Sequence, residues 1–366
     1  MNVKYIDLKR VNSDILKQNK IFRSWANLNS YILGSHVKQF EEKYAAFSNT
    51  KYCISVASGY DAIYLTLLAW GIKKGDEVIV PAQTFIATWL AVENLGAKPV
   101  GCDINPETLN IDYTEISNLI TKNTKAIIPV HFCGRIADMQ VIKEIAKNYN
   151  IKVLEDNAQA HGARLRENVA GGIGDAGATS FYPTKNLGCL GDGGAVTTNN
   201  KETAEKLKLL RNYGSIKKYH YNGAGVNSRL DEVQAVFLKE KLKLLIYQNK
   251  IRQKIAQCYN DNIKNERIKL PAYVRNNEHV WHIYSIQTRN RNSLQRYLNK
   301  HGIETIIHYP VPPAFAGAFA KKSNKKFIET KRHCAETLSL PCYPNMPLEH
   351  VHYVIEKVNR FCFEKE

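Results

Sequence analysis

The sequence predicts an α/β fold in which a large domain on a mostly parallel sheet precedes a smaller C-terminal α+β domain. At 366 residues with 44% hydrophobic content, the chain exceeds what one core usually organises. From residue 53 to residue 154 short apolar runs alternate with helix-patterned stretches, the rhythm of βα units on a parallel sheet. Beyond Asn227-Ser228-Arg229 that rhythm yields to lysine-rich helical sequence and then to sparser strand signals, so a second unit follows.

Cys53 to Ala57 reads as a strand and Asp61 to Ala69 as a helix; Glu77 to Val80 and Ala87 to Leu95 repeat the pair. Lys125 to Val130 and Ile151 to Leu154 are further strands, flanking a helix from about Val141 to Tyr149. Ser58, Phe85, His131 and Asp156 fall at or just past strand ends, where open α/β sheets bind ligands. One long helix is expected from about Asp231 to Tyr259. Then come a strand across Val280 to Gln287, a helix from about Ser293 to His301, a strand over Glu304 to Ile307 and a final helix from near Leu348. The expected division is residues 1–240 for the large domain and 241–366 for the small one with the linking helix, the N-terminal segment being free to pack on the latter. No repeat or low-complexity segment interrupts the chain.

No run of about 18 apolar residues occurs, and Met1-Asn2-Val3-Lys4-Tyr5-Ile6-Asp7 lacks a signal-peptide core, so a cytoplasmic protein without a membrane partner is expected. The eight cysteines include no CxxC pair, which argues for reduced thiols and against a zinc or redox site; no metal is expected. Cys189 reads as a small packing residue. The 51 basic against 34 acidic residues give +17, which raises nucleic-acid binding as a rival function. The lysines are diffuse, however, and no nucleic-acid motif accompanies them. Such a surface also suits a small anionic ligand, which it would steer toward a site.

The most informative segment is Thr179-Ser180-Phe181-Tyr182-Pro183-Thr184-Lys185-Asn186-Leu187-Gly188. It sets one lysine among small residues downstream of Val153-Leu154-Glu155-Asp156, and four glycines follow in Gly188-Cys189-Leu190-Gly191-Asp192-Gly193-Gly194. Glycine lets backbone pass close to a ligand or take positive φ. A lysine amine becomes a nucleophile once burial strips its proton, and can then form a Schiff base with an aldehyde. Pyridoxal phosphate supplies such an aldehyde and needs an anion at its ring nitrogen. Asp156 is placed to be that anion.

At these residues the chain resembles the pyridoxal-phosphate-dependent sugar-nucleotide aminotransferases of the DegT/DnrJ/StrS family, within the aspartate-aminotransferase type I fold. The resemblance covers nearly the whole chain. Its further markers are Ser58-Gly59-Tyr60-Asp61-Ala62, Pro81-Ala82-Gln83-Thr84-Phe85, Ile127-Ile128-Pro129-Val130-His131, Glu155-Asp156-Asn157-Ala158-Gln159-Ala160-His161-Gly162 and Asn227-Ser228-Arg229-Leu230-Asp231-Glu232. The resemblance implies that Lys185 joins the cofactor aldehyde, Asp156 pairs with the ring nitrogen and Gln159 bonds the ring's phenolic oxygen. It implies that Phe85 stacks on the ring, and that Ser180 with the backbone of Gly59 and Tyr60 holds the phosphate. Asn227 would reach the phosphate of the other subunit, making a homodimer with shared sites.

The family usually carries threonine at Tyr60 and a small residue at Asn157, so Tyr60 is expected to contribute backbone only. Tyr182, His308, Tyr309 and Arg229 are the expected substrate contacts, whereas His161 and the Trp281-His282 pair are read as structural. The resemblance is greatest to enzymes that aminate C3 of a dTDP-3-keto-6-deoxyhexose with L-glutamate, passing through pyridoxamine phosphate, for surface glycans such as O-antigen and lipopolysaccharide. Two alternatives stand beside it: C4 amination of a UDP-4-keto sugar, and a regulatory or nucleic-acid-binding protein on a non-catalytic scaffold.

Overall fold

The computed structural model describes residues 1–217, 219–272, 274, 277–320 and 326–362. Seven strands, β1 (Tyr52–Val56), β2 (Glu77–Pro81), β3 (Lys98–Cys102), β4 (Thr124–Ile127), β5 (Lys152–Asp156), β6 (Ala176–Ser180) and β7 (Gly194–Thr198), form one sheet in the order β1-β7-β6-β5-β4-β2-β3. Neighbours from β6 to β3 run parallel, and β7 runs antiparallel to both β6 and β1. β2 and β7 are buried along their whole length, as expected for a sheet covered on both faces. That is why β2 reads as a continuous apolar run rather than as alternation.

Register does the work of bringing distant residues together. Val56 of β1 pairs with Gly194 of β7, which pairs in turn with Ser180 of β6, while Asp156 of β5 lies opposite Ala178. The reversal of β7 therefore sets its first residue against the last residues of β1 and β6. A Cβ on Gly194 would lie 2.2 Å from the Ser58 carbonyl oxygen, so only glycine allows that approach.

The helix Gly59–Ala69 leaves this edge with Ser58 as its cap, the Ser58 hydroxyl accepting from Asp61 N–H at 3.1 Å. It is buried on most sides, so a 3.6-residue amphipathic period is faint in its sequence. Apolar residues of the sheet, Ile54, Val80, Leu154 and Val196 among them, share one cluster with Ala314, Phe319 and Phe327 from the C-terminal part of the chain. A second cluster joins Val3 and Val11 to Tyr259, Trp281, Leu338 and Val354. The N-terminal strand-like residue Val3 is tied there by Val3 N–H to Gly302 O at 2.7 Å and Glu304 N–H to Val3 O at 2.9 Å.

Several expectations are corrected. The expected Asp231–Tyr259 helix is two helices, Glu232–Leu242 and Leu245–Asn262. No glycine or proline marks the break at Lys243-Leu244; long-range contacts flank it instead. On one side the buried Lys241 ammonium donates to Asn12 Oδ1 and the Gly188 carbonyl, and on the other Leu245 is buried beside Phe181 and Leu187.

Of the Val280 to Gln287 run only Tyr284–Gln287 is a strand (β8), because Trp281 takes φ of 50° and turns the chain. Its antiparallel partner is β9 (Thr337–Leu340), where no strand is expected from the sequence. Glu304 to Ile307 forms no strand and makes a single bridge, Ile306 to Ser339. β3, β6 and β7 were likewise not expected. The sequences Ala-Gly-Ala-Thr-Ser and Gly-Ala-Val-Thr-Thr lack bulky apolar residues, and β3 carries Pro99, tolerable on an edge strand.

Six cysteines are buried, Cys258 is half-buried and Cys362 exposed; all are free thiols. Among the described residues no helix is long and apolar enough to cross a membrane. Asp103, just past β3, caps a distant helix, Ile328–Glu336: its carboxylate accepts from Glu329 N–H, Thr330 N–H and Thr330 Oγ1 at 3.0, 2.9 and 2.7 Å. Asp103→Ala should cost about 1–2 kcal/mol, seen as a lower urea midpoint with an unchanged slope; Asp103→Asn should cost less.

Candidate active site

A cavity of about 450 Å³ is lined by residues from the carboxyl ends of β5 and β6, the segments after β1 and β2, and the loop between β6 and β7. It brings together Gly59, Tyr60, Phe85, Asp156, Gln159, Ser180, Tyr182, Lys185, His308 and Tyr309 of the residues singled out in the sequence. Asn227 and Arg229 do not line it. Asn227 is exposed with its backbone bridged to Asn212, and Arg229 donates to Asn212 Oδ1 at 3.0 Å and lies 5.5 Å from the Tyr213 ring centroid.

Asp156 ends β5 and is 6% exposed. One carboxylate oxygen accepts from Thr88 Oγ1 at 2.9 Å and the other from Ala158 N–H at 3.1 Å, leaving acceptor capacity on both. Burial pushes its pKa up; these hydrogen bonds and the charge of Lys185 oppose that push. Its neighbour Glu155 points to the other face of the strand. There it accepts from His131 Nε2 and from the amides of Gly171, Ile173 and Gly174 at 2.6–2.9 Å. Because His131 Nδ1 accepts from Ala137 N–H at 3.1 Å, the imidazole proton sits on Nε2 and goes to Glu155. This buried network fixes the end of β5, and with it Asp156.

Lys185 lies in a loop closed on itself by Phe181 N–H to Gly193 O, Cys189 N–H to Phe181 O and Lys185 N–H to Tyr182 O, at 2.7, 2.7 and 2.9 Å. The glycines after the lysine serve close approach rather than left-handed backbone. None of Gly188, Gly191, Gly193 and Gly194 has positive φ, and a Cβ on Gly188 would meet the Pro183 carbonyl oxygen at 2.4 Å. Cys189 is 1% exposed with its thiol pushed up to about 11 by burial, a packing residue. Burial also depresses the Lys185 amine to about 8, against the pull of Asp156 in the other direction. Near neutral pH a usable fraction is therefore uncharged.

The opposite wall is built to receive an anion. Ser58 takes up the amide of Asp61 and, through its carbonyl, that of Ala62, so the amides of Gly59 and Tyr60 have no intrahelical partner. A Cβ on Gly59 would lie 2.5 Å from Ser180 Cβ, so glycine alone lets the helix start press onto that serine. The Tyr60 hydroxyl accepts from Asn94 Nδ2 at 2.7 Å and its ring stacks on Tyr64, leaving its backbone for the cavity. Phe85 is 53% exposed, an aromatic face on the cavity 5.7 Å from the Tyr309 ring. Gln159 Oε1 accepts from Cys133 N–H at 2.7 Å, which turns its amide nitrogen toward the Tyr309 hydroxyl at 3.3 Å.

Two lining residues correct or extend the sequence-based expectations. Trp281 is fully buried against His279, as expected, but His282 is a cavity residue. The turn at Trp281 re-aims it, which a continuous strand would hide. Asn186 donates to Asn249 Oδ1 and Val280 O and so presents Oδ1 to His282 Nδ1 at 3.0 Å. The second residue is Thr88, whose polar role inside the apolar helix Ile86–Glu93 shows only once Asp156 is seen beside it. Burial, then Lys185, holds His161 down to about 3, His308 to about 4 and His282 well below its ordinary value. Among the described residues no group of three His, Cys, Asp or Glu could hold a metal.

A partly neutral buried lysine, a carboxylate with spare acceptor capacity, an aromatic wall and a helix-start anion cradle fit the aldehyde, ring nitrogen, ring face and phosphate of pyridoxal phosphate. Fold and cavity define a pyridoxal-phosphate-dependent transferase of the aspartate-aminotransferase type. The chain belongs to the DegT/DnrJ/EryC1/StrS aminotransferase family, whose sequence profile matches residues 14–359; it is a pyridoxal-phosphate-dependent aminotransferase.

It is 46% identical, over 98% of this chain and 99% of the relative, to a dTDP-3-amino-3,6-dideoxy-alpha-D-galactopyranose transaminase of Aneurinibacillus thermoaerophilus. It is 39% identical, over 93% and 95%, to a UDP-2-acetamido-2-deoxy-3-oxo-D-glucuronate aminotransferase of Pseudomonas aeruginosa. Among solved structures, S. venezuelae DesV in complex with a ketimine intermediate matches with a TM-score of 0.94 and 38% identity over 98% of both chains. NtdA of Bacillus subtilis with bound pyridoxamine phosphate matches at 0.90 and 32% identity, over 98% of this chain and 84% of that one.

Lys185→Ala should keep the fold and some cofactor binding while losing transamination by about a thousandfold or more, measured on the isolated glutamate half-reaction. Histidine NMR should find His161, His282 and His308 neutral throughout pH 6 to 8, because burial holds each below that window. The activity profile above pH 6 should accordingly contain no limb from them.

Proposed function

We propose that the protein transfers the amino group of L-glutamate to the C3 keto group of a dTDP-3-keto-6-deoxyhexose, giving a dTDP-3-amino-3,6-dideoxyhexose for a surface glycan such as O-antigen or lipopolysaccharide. The observation that carries this reading is the full-length match, at 46% identity, to a transaminase named for that class of product. A relative from Streptomyces venezuelae at 40% identity is likewise named for a 3-amino dTDP sugar. UDP-sugar relatives at 39% identity favour a second reading, a UDP-linked acceptor, and their names too specify carbon 3. The C4 alternative has less support for that reason.

When bound, pyridoxal phosphate would supply an aldehyde to take up the amino group and a ring to store the electron pair freed at carbon. The chain's residues do the rest in this reading. The helix-start amides of Gly59 and Tyr60 and the Ser180 hydroxyl hold the phosphate. Asp156, ionised, accepts a hydrogen bond from the protonated ring nitrogen. Gln159, its amide turned by Cys133, donates to the phenolic oxygen, and Phe85 covers one ring face.

The neutral Lys185 amine takes the α-proton from glutamate and returns it at the cofactor carbon, then runs the same transfer in reverse with the keto sugar. Tyr182, His308 and Tyr309 would contact the sugar; neutral His308 can accept or donate a hydrogen bond without adding charge. Asn227, which does not line this chain's own cavity, fits a homodimer in which it completes the partner's site. Function in the cytoplasm, where nucleotide sugars are made, is part of the same reading.

The test is single-turnover absorbance of the pyridoxamine form with dTDP-3-keto-6-deoxyglucose, dTDP-3-keto-6-deoxygalactose, a UDP-3-keto sugar and a UDP-4-keto sugar. Rapid return of the aldehyde form with a dTDP-3-keto sugar, and a 3-amino product by NMR, is expected. Return only with a UDP sugar would overturn the acceptor assignment.

A further inference from the structure

We propose that Thr88, oriented by Thr84, is the positioning residue that keeps Asp156 in its carboxylate form, and thereby governs how firmly the protein holds the cofactor's protonated ring nitrogen. The inference rests on the cofactor site described above and not on the identity of the sugar.

The three side chains form a directional chain at the cavity floor. Thr88 Oγ1 lies 2.9 Å from Asp156 Oδ2, and Thr84 Oγ1 lies 3.1 Å from Thr88 Oγ1. A carboxylate only accepts, so the one Thr88 hydroxyl proton points at Asp156, and Thr88 must then accept from Thr84. Hydroxyls aligned in this way polarise one another toward the anion. Thr84 and Thr88 are each 1% exposed, so water is largely kept from taking their place.

Protonating Asp156 would reverse the chain: the acid would donate to Thr88 and Thr88 to Thr84, exchanging a charge-assisted bond for a weaker neutral one. Three other groups also offset the burial of Asp156, the Ala158 amide first among them and then Lys185 and His131. Ala158 N–H serves the other carboxylate oxygen, Lys185 acts through a charge that it loses as pH rises through about 8, and His131 holds its proton toward Glu155, so the Oδ2 side rests on Thr88. Thr88 is therefore the side-chain donor that offsets the burial of Asp156 at Oδ2.

Thr88 sits in the first turn of the helix Ile86–Glu93, directly after Phe85. Phe85 is the extended residue that precedes this helix, so one helix start delivers both the aromatic that faces the ring and the hydroxyl that supports the ring-nitrogen partner.

The experiment uses cofactor-free wild type, Thr88→Val, Thr88→Ser and Thr84→Val. Infrared difference spectra against Asp156→Asn report whether Asp156 carries a proton, and absorbance titration gives the pyridoxal phosphate dissociation constant. For Thr88→Val the expected result is a protonated-carboxyl band at neutral pH that wild type lacks, with a dissociation constant raised about tenfold or more. Thr88→Ser should behave as wild type, and Thr84→Val should shift both readouts the same way by less. Wild-type infrared and cofactor affinity in Thr88→Val would overturn the proposal, as would Thr88→Ser proving as impaired as Thr88→Val. Should Thr88→Val fail to fold, Thr84→Val decides, and unchanged readouts there overturn it. Neither readout involves a sugar, so an error in the acceptor assignment would leave both unchanged.

Discussion

Removal of water from around Lys185 and Asp156 is the constraint on which the rest of the site depends. Each group alone would resist its charge when buried: the amine is pushed toward neutrality and the carboxyl toward protonation. The chemistry needs the first shift and not the second. The fold separates them by what it sets beside each group. Asp156 receives a hydroxyl and a backbone amide, whereas the amine has only the attraction of Asp156 against its desolvation. The neighbouring imidazoles are held neutral and contribute no further charge.

The geometry that achieves this comes from backbone register more than from side-chain packing. The reversal of β7 brings Gly194 against Ser180 and Val56, and glycines at 59 and 194 permit approaches that a single Cβ would block. The anion cradle, the lysine loop and the carboxylate strand consequently share one end of the sheet, although more than a hundred residues separate Gly59 from Lys185. On the far side of β5, the buried Glu155 and His131 hold the strand end with five hydrogen bonds, so Asp156 is rigid before any ligand arrives.

The α/β class, the early βα units and the C-terminal helix were legible because bulky apolar runs and helical periods are local signals. β6 and β7 were not, since Gly, Ala, Ser and Thr fill strands whose stability comes from pairing and burial on both faces. The break between Leu242 and Leu245 was hidden for a related reason: contacts from Asn12 and Gly188, far away in sequence, flank it. In the site, Lys185 and Asp156 stood out by residue type and by resemblance. Thr88 and His282 did not, because a threonine in an apolar helix and a histidine after a tryptophan acquire meaning only from what the fold places opposite them. Asn227 and Arg229 rest on the resemblance, since this chain's own cavity does not include them.

The most direct test of the central claim is the charge of the Lys185 amine in the cofactor-free protein, followed by NMR of ¹⁵N-labelled lysine side chains with Lys185→Ala to assign the signal. A lysine depressed by burial should titrate at about 8, well apart from the exposed lysines. Titration near the ordinary value of 10.5 would mean that the cavity admits enough water to keep the amine charged, and would contradict burial as the means by which this site prepares its nucleophile.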